Sequence, residues 1–461
     1  MSKPWYNRDK SLRKGREMWL RGLRLTAGTT CARNQFPHVP HVLGKIFAAH
    51  RKYRRRDADM ASSSTEMDPD LARQLFFEGA TIVIFGLPEG SEFGIDSNSW
   101  QVGPRFKGVK MVPPGIHFIH YSVKRLVGAS GETGPRSGMF LYLEQKEICL
   151  FRWDSKEEEM VAAFQEEAEN LREQLTSLDR SLGPYPYESL RSWVSLTNHI
   201  SKEAMLRLQP ACGTICSFPE VLPMEEMTHT ADRAKHNLPR YDTVCQNYKE
   251  GMSRLPQMKQ KEGTEIRFSQ LPEKMYPKNA SAAEITQHSM DLSYALGQLL
   301  EINYPGNPLA FLAELQFSFV CFLLGNVYEG FEQWKNLLNL LCRAETFSLQ
   351  HPDLYSEVIS VLYHQLAQVP TDFFIDIVSQ NNFLTSTLQV LFSFLCSAPT
   401  NKDLRKKALR FRTHLTKRFQ WDFEEDPQDC APLVVQLPEG WEKAINTDQS
   451  AHIESNAEIP S

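Results

Sequence analysis

Two histidines three residues apart, His117 and His120, lie in the phrase IHFIHYS (116–122). Successive side chains of a strand alternate between faces, so these two point to opposite sides. That placement is poor for a shared metal ion or for paired acid/base work. A second group is Cys212-x3-Cys216 with His229, His236 and Cys245. Zinc takes four convergent ligands, usually from closely spaced pairs, and only one pair here is close. The Gly-rich run GASGETG (128–134) lacks the lysine and Ser/Thr that would hold a phosphate and its magnesium. It reads as a loop between two strands, within Gly128 to Gly138. GxSxG, HExxH, GxxxxGK[ST] and GxGxxG are all absent. The residues therefore favour binding over catalysis. A metal-dependent, cupin-like enzyme on a β domain is the rival reading.

The elements that would carry these residues change along the chain. A short helix over Asp70 to Glu78 leads into short segments at 81–87, 92–96, 99–103, 107–112, 116–122, 139–144 and 147–153. Gly and Pro separate them, the mark of an antiparallel sandwich or barrel. Lys156 to Leu182 reads as one helix, with Phe164, Ala168, Leu171, Leu175, Leu178 and Leu182 forming an apolar seam that packs on a neighbour. Tyr187 to Leu208 reads as a helical pair. Residues 224–263 are Pro-rich with scattered charge and read as an interdomain linker.

Helices resume at Ala282 to Leu300. The block Leu309 to Arg343 is the most apolar in the chain, but Glu314, Gln316, Asn326 and Glu329 interrupt it. A membrane span needs about 20 uninterrupted apolar residues, so the block reads as two buried core helices, Leu309 to Leu324 and Val327 to Arg343. Further helices are expected over Asp353 to Leu366, Thr371 to Ser379, Phe383 to Cys396 and Lys402 to Phe419. Their short loops imply antiparallel neighbours. The last helix is strongly basic (Lys402, Arg405, Lys406, Lys407, Arg410, Arg412, Lys417, Arg418) and also carries the apolar stripe Leu404, Ala408, Phe411, Leu415 and Phe419. It reads as a solvated basic face, with contact to an acidic partner as the second reading.

The net charge of −5 over 461 residues conceals an asymmetry. Residues 1–66 hold 15 Lys+Arg against 5 Asp+Glu, and the remainder is acidic. Residues 1–59, ending in RKYRRR (51–56), read as a disordered basic extension. Met60 is a plausible alternative start. The nine cysteines are scattered and no secretory signal opens the chain, which suggests reduced thiols. Beyond the last helix, Glu424, Glu425 and Asp426 precede the β-prone phrase APLVVQLPEG (431–440). Leu433 to Leu437 could add a strand to a partner's sheet edge, or fold back onto the chain's own β domain.

Long phrases also carry a resemblance. LFFEGATIVI (75–84), EFGIDSNSW (92–100), VGPRFKGVKMVPPGIHFIHY (102–121), LGPYPY (182–187), GTEIRFSQLP (263–272), ELQFSFVCFLLGNVYEGFEQWKNLLNLLCR (314–343), DFFIDIVSQNNFLTSTLQV (372–390) and WDFEEDPQDCAPLVVQLPEG (421–440) resemble the Aar-two splicing-factor family. The resemblance covers about residues 60–440. It implies an α+β chain in which an N-terminal β-sandwich-like domain with packed helices (60–223) precedes the linker. A C-terminal all-helical, VHS-like domain (264–423) and a tail (424–461) then follow.

The resemblance also implies a non-catalytic U5 snRNP assembly factor without a cofactor, acting in the nucleus after a cytoplasmic assembly phase. Its implied partner is the particle's scaffold protein, bound through RNase H-like and Jab/MPN-type domains, with no direct nucleic-acid or membrane contact. The implied binding strand maps onto Pro432, Leu433, Val434, Val435, Gln436 and Leu437. A trafficking adaptor, suggested only by the VHS-like fold, ranks last.

Overall fold

The computed structural model describes residues 75–125, 132–223, 258–369, 383–397 and 400–423. Its first half is built on β1 (Ala80–Phe85), β2 (Glu92–Ile95), β3 (Asn98–Gln101), β4 (Gly108–Val112), β5 (Gly115–Arg125), β6 (Glu132–Leu143), β7 (Ile148–Asp154) and β8 (Glu159–Ala162). Short strands β9 (Gly183–Pro184), β10 (Ile215–Cys216), β11 (Val221–Pro223) and β12 (Met258–Gln260) follow. Two five-stranded sheets result, ordered β8-β7-β1-β4-β9 and β10-β6-β5-β2-β3. The second is antiparallel throughout. The first is mixed, because β1 pairs in parallel with β7 and β4 with β9. This corrects the expectation of a purely antiparallel sandwich. β1 and β7 meet only after the chain has built most of the other sheet, so no hairpin dictates their direction.

Strand alternation sorts the side chains into layers. Ile82, Ile84, Phe93, Ile95, Ile119 and Tyr121 fill the space between the sheets. Val83, Ile148 and Leu150 project from the opposite face of the first sheet, under Ala168, Leu171, Leu175 and Leu178. That cover is α1 (Gln165–Asn170), a 3-10 turn (Arg172–Gln174) and α2 (Leu175–Leu178). The single helix expected over Lys156 to Leu182 is therefore broken, and its first part is the edge strand β8. The Tyr121 hydroxyl accepts the Met160 N–H at 3.1 Å, and β8 pairs with β7. The seam begins only after β8, and its first residue, Phe164, is exposed, while Ala168, Leu171, Leu175 and Leu178 pack as its helical spacing requires.

On the far side of the second sheet lie α3 (Tyr187–Thr197) and α4 (Lys202–Leu208). The helical half follows with α5 (Ala282–Met290), α6 (Ser293–Asn303), α7 (Phe311–Leu323), α8 (Tyr328–Cys342), α9 (Glu345–Gln350), α10 (Pro352–Leu366), α11 (Phe383–Leu395) and α12 (Lys402–Phe419). The expected helix over Ala282 to Leu300 is two, divided at Asp291. Its carboxylate accepts from Ser293 N at 2.9 Å and from Thr346 N at 3.1 Å, satisfying a first-turn N–H of α6 and of α9 together. The expected helix over Thr371 to Ser379 lies outside the described residues.

α7 is buried along nearly its whole length, from Phe311 to Cys321. One side joins the core of α6, α8, α10, α11 and α12, through Phe311, Leu315 and Phe319. The other carries Phe317, Val320 and Cys321 against Ile116, Phe118 and Phe140 of the second sheet. Gly330 lets α8 cross closely, since a Cβ there would lie 2.9 Å from the Ser318 carbonyl oxygen. Among the described residues no single helix is long and apolar enough to cross a membrane. One helix pair passes by composition but is bent by 93°.

Candidate interaction surface

The two histidines occupy the positions that strand alternation assigns them. His117 faces the sandwich interior, where Nδ1 lies 2.8 Å from Asp96 Oδ2 and Nε2 lies 2.7 Å from the Pro113 carbonyl. A carbonyl only accepts, so Nε2 donates the hydrogen bond to Pro113. Asp96 also accepts from Phe118 N at 3.0 Å and from the Tyr185 hydroxyl at 2.5 Å. Burial, reinforced by the Asp96 carboxylate, pushes the Tyr185 hydroxyl well above its ordinary pKa. Asp96, His117 and Tyr185 are all at most 2% exposed. The cluster resembles a proton relay by residue type, but both imidazole nitrogens are engaged within the protein. It ties β5 to the β2–β3 turn and to Tyr185.

His120 points the other way, beside Phe118 and over Gly94. The pair therefore does not form the shared centre that a cupin-like enzyme would need. Of the zinc candidates, Cys212 is exposed and its thiol meets the Thr214 carbonyl at 3.4 Å, while Cys216 lies 3.7 Å from Ser137 Oγ. His229, His236 and Cys245 lie outside the described residues. Among the described residues no three His, Cys, Asp or Glu side chains converge as metal ligands. The run 128–134 enters β6 at Glu132, and its earlier residues lie outside the description.

Buried polar groups concentrate instead where the two halves join. Glu314 of α7, fully buried, accepts from Ser269 N at 2.8 Å, Ser269 Oγ at 2.7 Å, Gln333 Nε2 at 2.9 Å and the Tyr304 hydroxyl. Arg207 of α4 approaches it at 3.6 Å and stacks over the Tyr304 ring. Two residues on, and on the other side of the helix, Gln316 accepts from His199 N at 2.9 Å and donates to Asn198 Oδ1 at 2.8 Å. Arg136 of β6 donates to the Leu324 carbonyl at 2.9 Å. Of the polar residues that interrupt the apolar block, Gln316 is thus hydrogen-bonded to the α3–α4 turn and Glu314 gathers groups of the helical half beside Arg207 of α4, whereas Asn326 and Glu329 are exposed. Spacing showed that they break a membrane span, but not which partners they would find.

The chain's last described residues set the root of its tail. α12 buries the expected stripe of Leu404, Ala408, Phe411, Leu415 and Phe419. Gln420 closes the helix in the left-handed conformation, with φ of 60°. Trp421 then stacks on Phe419 at 4.4 Å between ring centroids, and Phe423 packs edge-on against Phe392 at 5.0 Å. Sequence reasoning missed both aromatic anchors, although each sits in the phrase WDFEED (421–426). The proposed strand Pro432, Leu433, Val434, Val435, Gln436 and Leu437 lies outside the described residues, nine positions and more beyond this anchor.

The basic helix has two kinds of cation. Lys407 donates to Ser356 O at 2.6 Å and Ser360 Oγ at 2.7 Å, and Arg418 donates to Ala367 O at 3.0 Å, so these two fasten α12 to α10 and the turn after it. Lys402, Arg405, Lys406 and Arg410 stay exposed and, with Leu409 and Thr413, line a shallow open groove.

Comparison with known proteins agrees with this architecture. The AAR2 N-terminal domain matches residues 78–210, and the AAR2 C-terminal repeat region matches residues 268–424. The chain belongs to the AAR2 family. It is 57% identical to the AAR2 homolog of Mus musculus, over 83% of this chain and 100% of that protein. It is 56% identical to the Homo sapiens AAR2 homolog, over 82% of this chain and 99% of that protein. The Caenorhabditis elegans AAR2 homolog is 36% identical, over 78% of this chain and 99% of its own length. The AAR2 C-terminal region thus ends one residue past Phe423, at the root of the tail.

Proposed function

We propose that this chain acts in pre-mRNA splicing as a non-catalytic assembly factor of the U5 snRNP. AAR2 family membership supports a splicing-related role, and the family resemblance supplies the particle and the partner. In this reading the chain occupies the RNase H-like and Jab/MPN-type domains of the U5 scaffold protein. Residues Pro432 to Leu437 add a strand to the partner, with main-chain hydrogen bonds giving affinity and alternate side chains specificity. The protein binds during a cytoplasmic assembly phase and functions in the nucleus. It needs no cofactor and makes no direct contact with nucleic acid or membrane.

The observation that carries the reading is the anchoring of Trp421 and Phe423 in the helical core. The anchored residues fix the point from which the chain leaves the helical core, nine positions before Pro432. The engaged state of His117 favours a binding protein over an enzyme. Calorimetric titration of the full chain and of a variant lacking residues 430–461 against a scaffold fragment holding both partner domains tests it. Loss of the tail should weaken binding, and equal affinities would refute the strand model.

A further inference from the structure

We infer that the exposed basic face of α12 is a docking surface for the chain's own acidic segment, Glu424 to Asp429. Lys402, Arg405, Lys406 and Arg410 lie on one side of the helix around the exposed side chain of Leu409. None of the four forms an ion pair with a described residue, whereas Lys407 and Arg418 on the flanks are tied to the protein by hydrogen bonds. Lys402 with Lys406, and Lys406 with Arg410, are like charges four residues apart, a spacing that destabilises a helix. An anionic occupant would turn this repulsion into attraction.

The segment immediately after the last anchored residue has that charge. Residues 424–429 read EEDPQD and place four carboxylates in six positions. The reach also fits. Along an α-helix, Lys406 lies roughly 20 Å from Phe419 at about 1.5 Å per residue. Six extended residues starting after Phe423 span roughly 20 Å. A segment returning along the helix therefore brings Asp429 level with Lys406. Individually weak surface pairs suffice because the tether makes the contact intramolecular, at an effective concentration on the order of millimolar. The inference does not depend on what the later residues 432–437 bind.

Carbodiimide activation of the full-length chain, followed by peptide mass spectrometry, tests the contact directly, since it joins a lysine to a carboxylate only where they touch. Lys406 is the informative reporter, since it lies level with the far end of the extended segment and away from residue 424. An amide link from Lys406 to Asp429 is expected, with a yield unchanged by dilution. The yield should fall about fivefold or more at 1 M salt, where the screening length shrinks to about 3 Å. Arg405→Glu with Arg410→Glu, both at exposed positions, should lower the same link about as much without changing the melting temperature. Absence of this link overturns the inference, as does a link that vanishes on dilution, which would mean a second copy. So does salt-dependent binding of a labelled single-stranded RNA that the double variant abolishes while no tail link forms.

Discussion

Phe140 of the second sheet and Phe317 of α7 stack with ring centroids 4.3 Å apart and planes 24° from parallel. Neither belongs to a surface loop; each is buried in a cluster shared by the sandwich and the helices, with Trp193, Met205 and Val320 around them. The chain's two halves thus share a core. Phe317→Ala empties the centre of that shared cluster and should cost about 3–5 kcal/mol. Urea unfolding, followed by tryptophan fluorescence and by far-ultraviolet circular dichroism, checks it. A single coincident transition is expected for the parent chain, with a lower midpoint in the variant. Separate transitions in the parent would show that the stack does not couple the halves.

Glu314 holds a polar network beside the same junction. Replacement by alanine leaves the Ser269 N–H and the Tyr304 hydroxyl without their acceptor in a buried site, while the Gln333 amide keeps only the Ser269 carbonyl. The expected loss is about 3–5 kcal/mol, because removing one member of a buried network strands the others. Glu314→Gln keeps one carbonyl acceptor and should lose less. Urea midpoints of the two variants, ranked against the parent, decide the point, and an alanine variant as stable as the parent would contradict it.

Acid should loosen the helical half and the α3–α4 turn packed against it. Burial holds His199, His364 and His414 below the ordinary histidine pKa, with Arg191 adding to the effect at His364 and Arg418 at His414. Glu357, 3.8 Å from His199 Nε2, works in the opposite sense. A histidine whose folded pKa is depressed takes up its proton more readily when unfolded. Its contribution is therefore complete above the unfolded value, about 6.5, and is lost as pH falls through that value toward the folded one. The melting temperature should drop between pH 7.5 and pH 5.5. His364→Gln combined with His414→Gln should flatten that drop, and an unchanged slope would assign the acid sensitivity elsewhere.

Much of this architecture is legible from residue pattern, and the rest is not, for definite reasons. Most of β1 through β7 emerge because they hold apolar runs bounded by glycine, proline or charge, β3 (NSWQ) being the polar exception, and α7 and α8 because their apolar density leaves few alternatives. β8 was hidden because EMVA is only four residues long and adjoins a stretch with helical spacing, and only the neighbouring edge of β7 makes it a strand. The strands β9 to β12 are two or three residues long, too short to display a period. The break at Asp291 depends on a carboxylate shared with α9, a contact between segments 55 positions apart. At the interaction surface, the basic face and buried stripe of α12 followed from spacing. Its division into fastened and exposed cations did not, since that depends on where Ser356 and Ala367 lie.

The boundary between the fold and its tail can be located by truncation. Trp421 and Phe423 are 8% and 7% exposed and stack against Phe419 and Phe392, so the helical core extends to residue 423. A chain ending after Phe423 should keep its stability to within about 0.5 kcal/mol, because exposed surface contacts contribute little. A chain ending after Gln420 loses both aromatic anchors and should lose about 3 kcal/mol or more. The same pair separates structural from functional loss in a binding assay. If the longer truncation product melts like the parent yet fails to bind the scaffold fragment, the residues after 423 act by contact rather than by supporting the fold. If it already melts lower, some of those residues belong to the core, and a binding defect could no longer be assigned to a free strand.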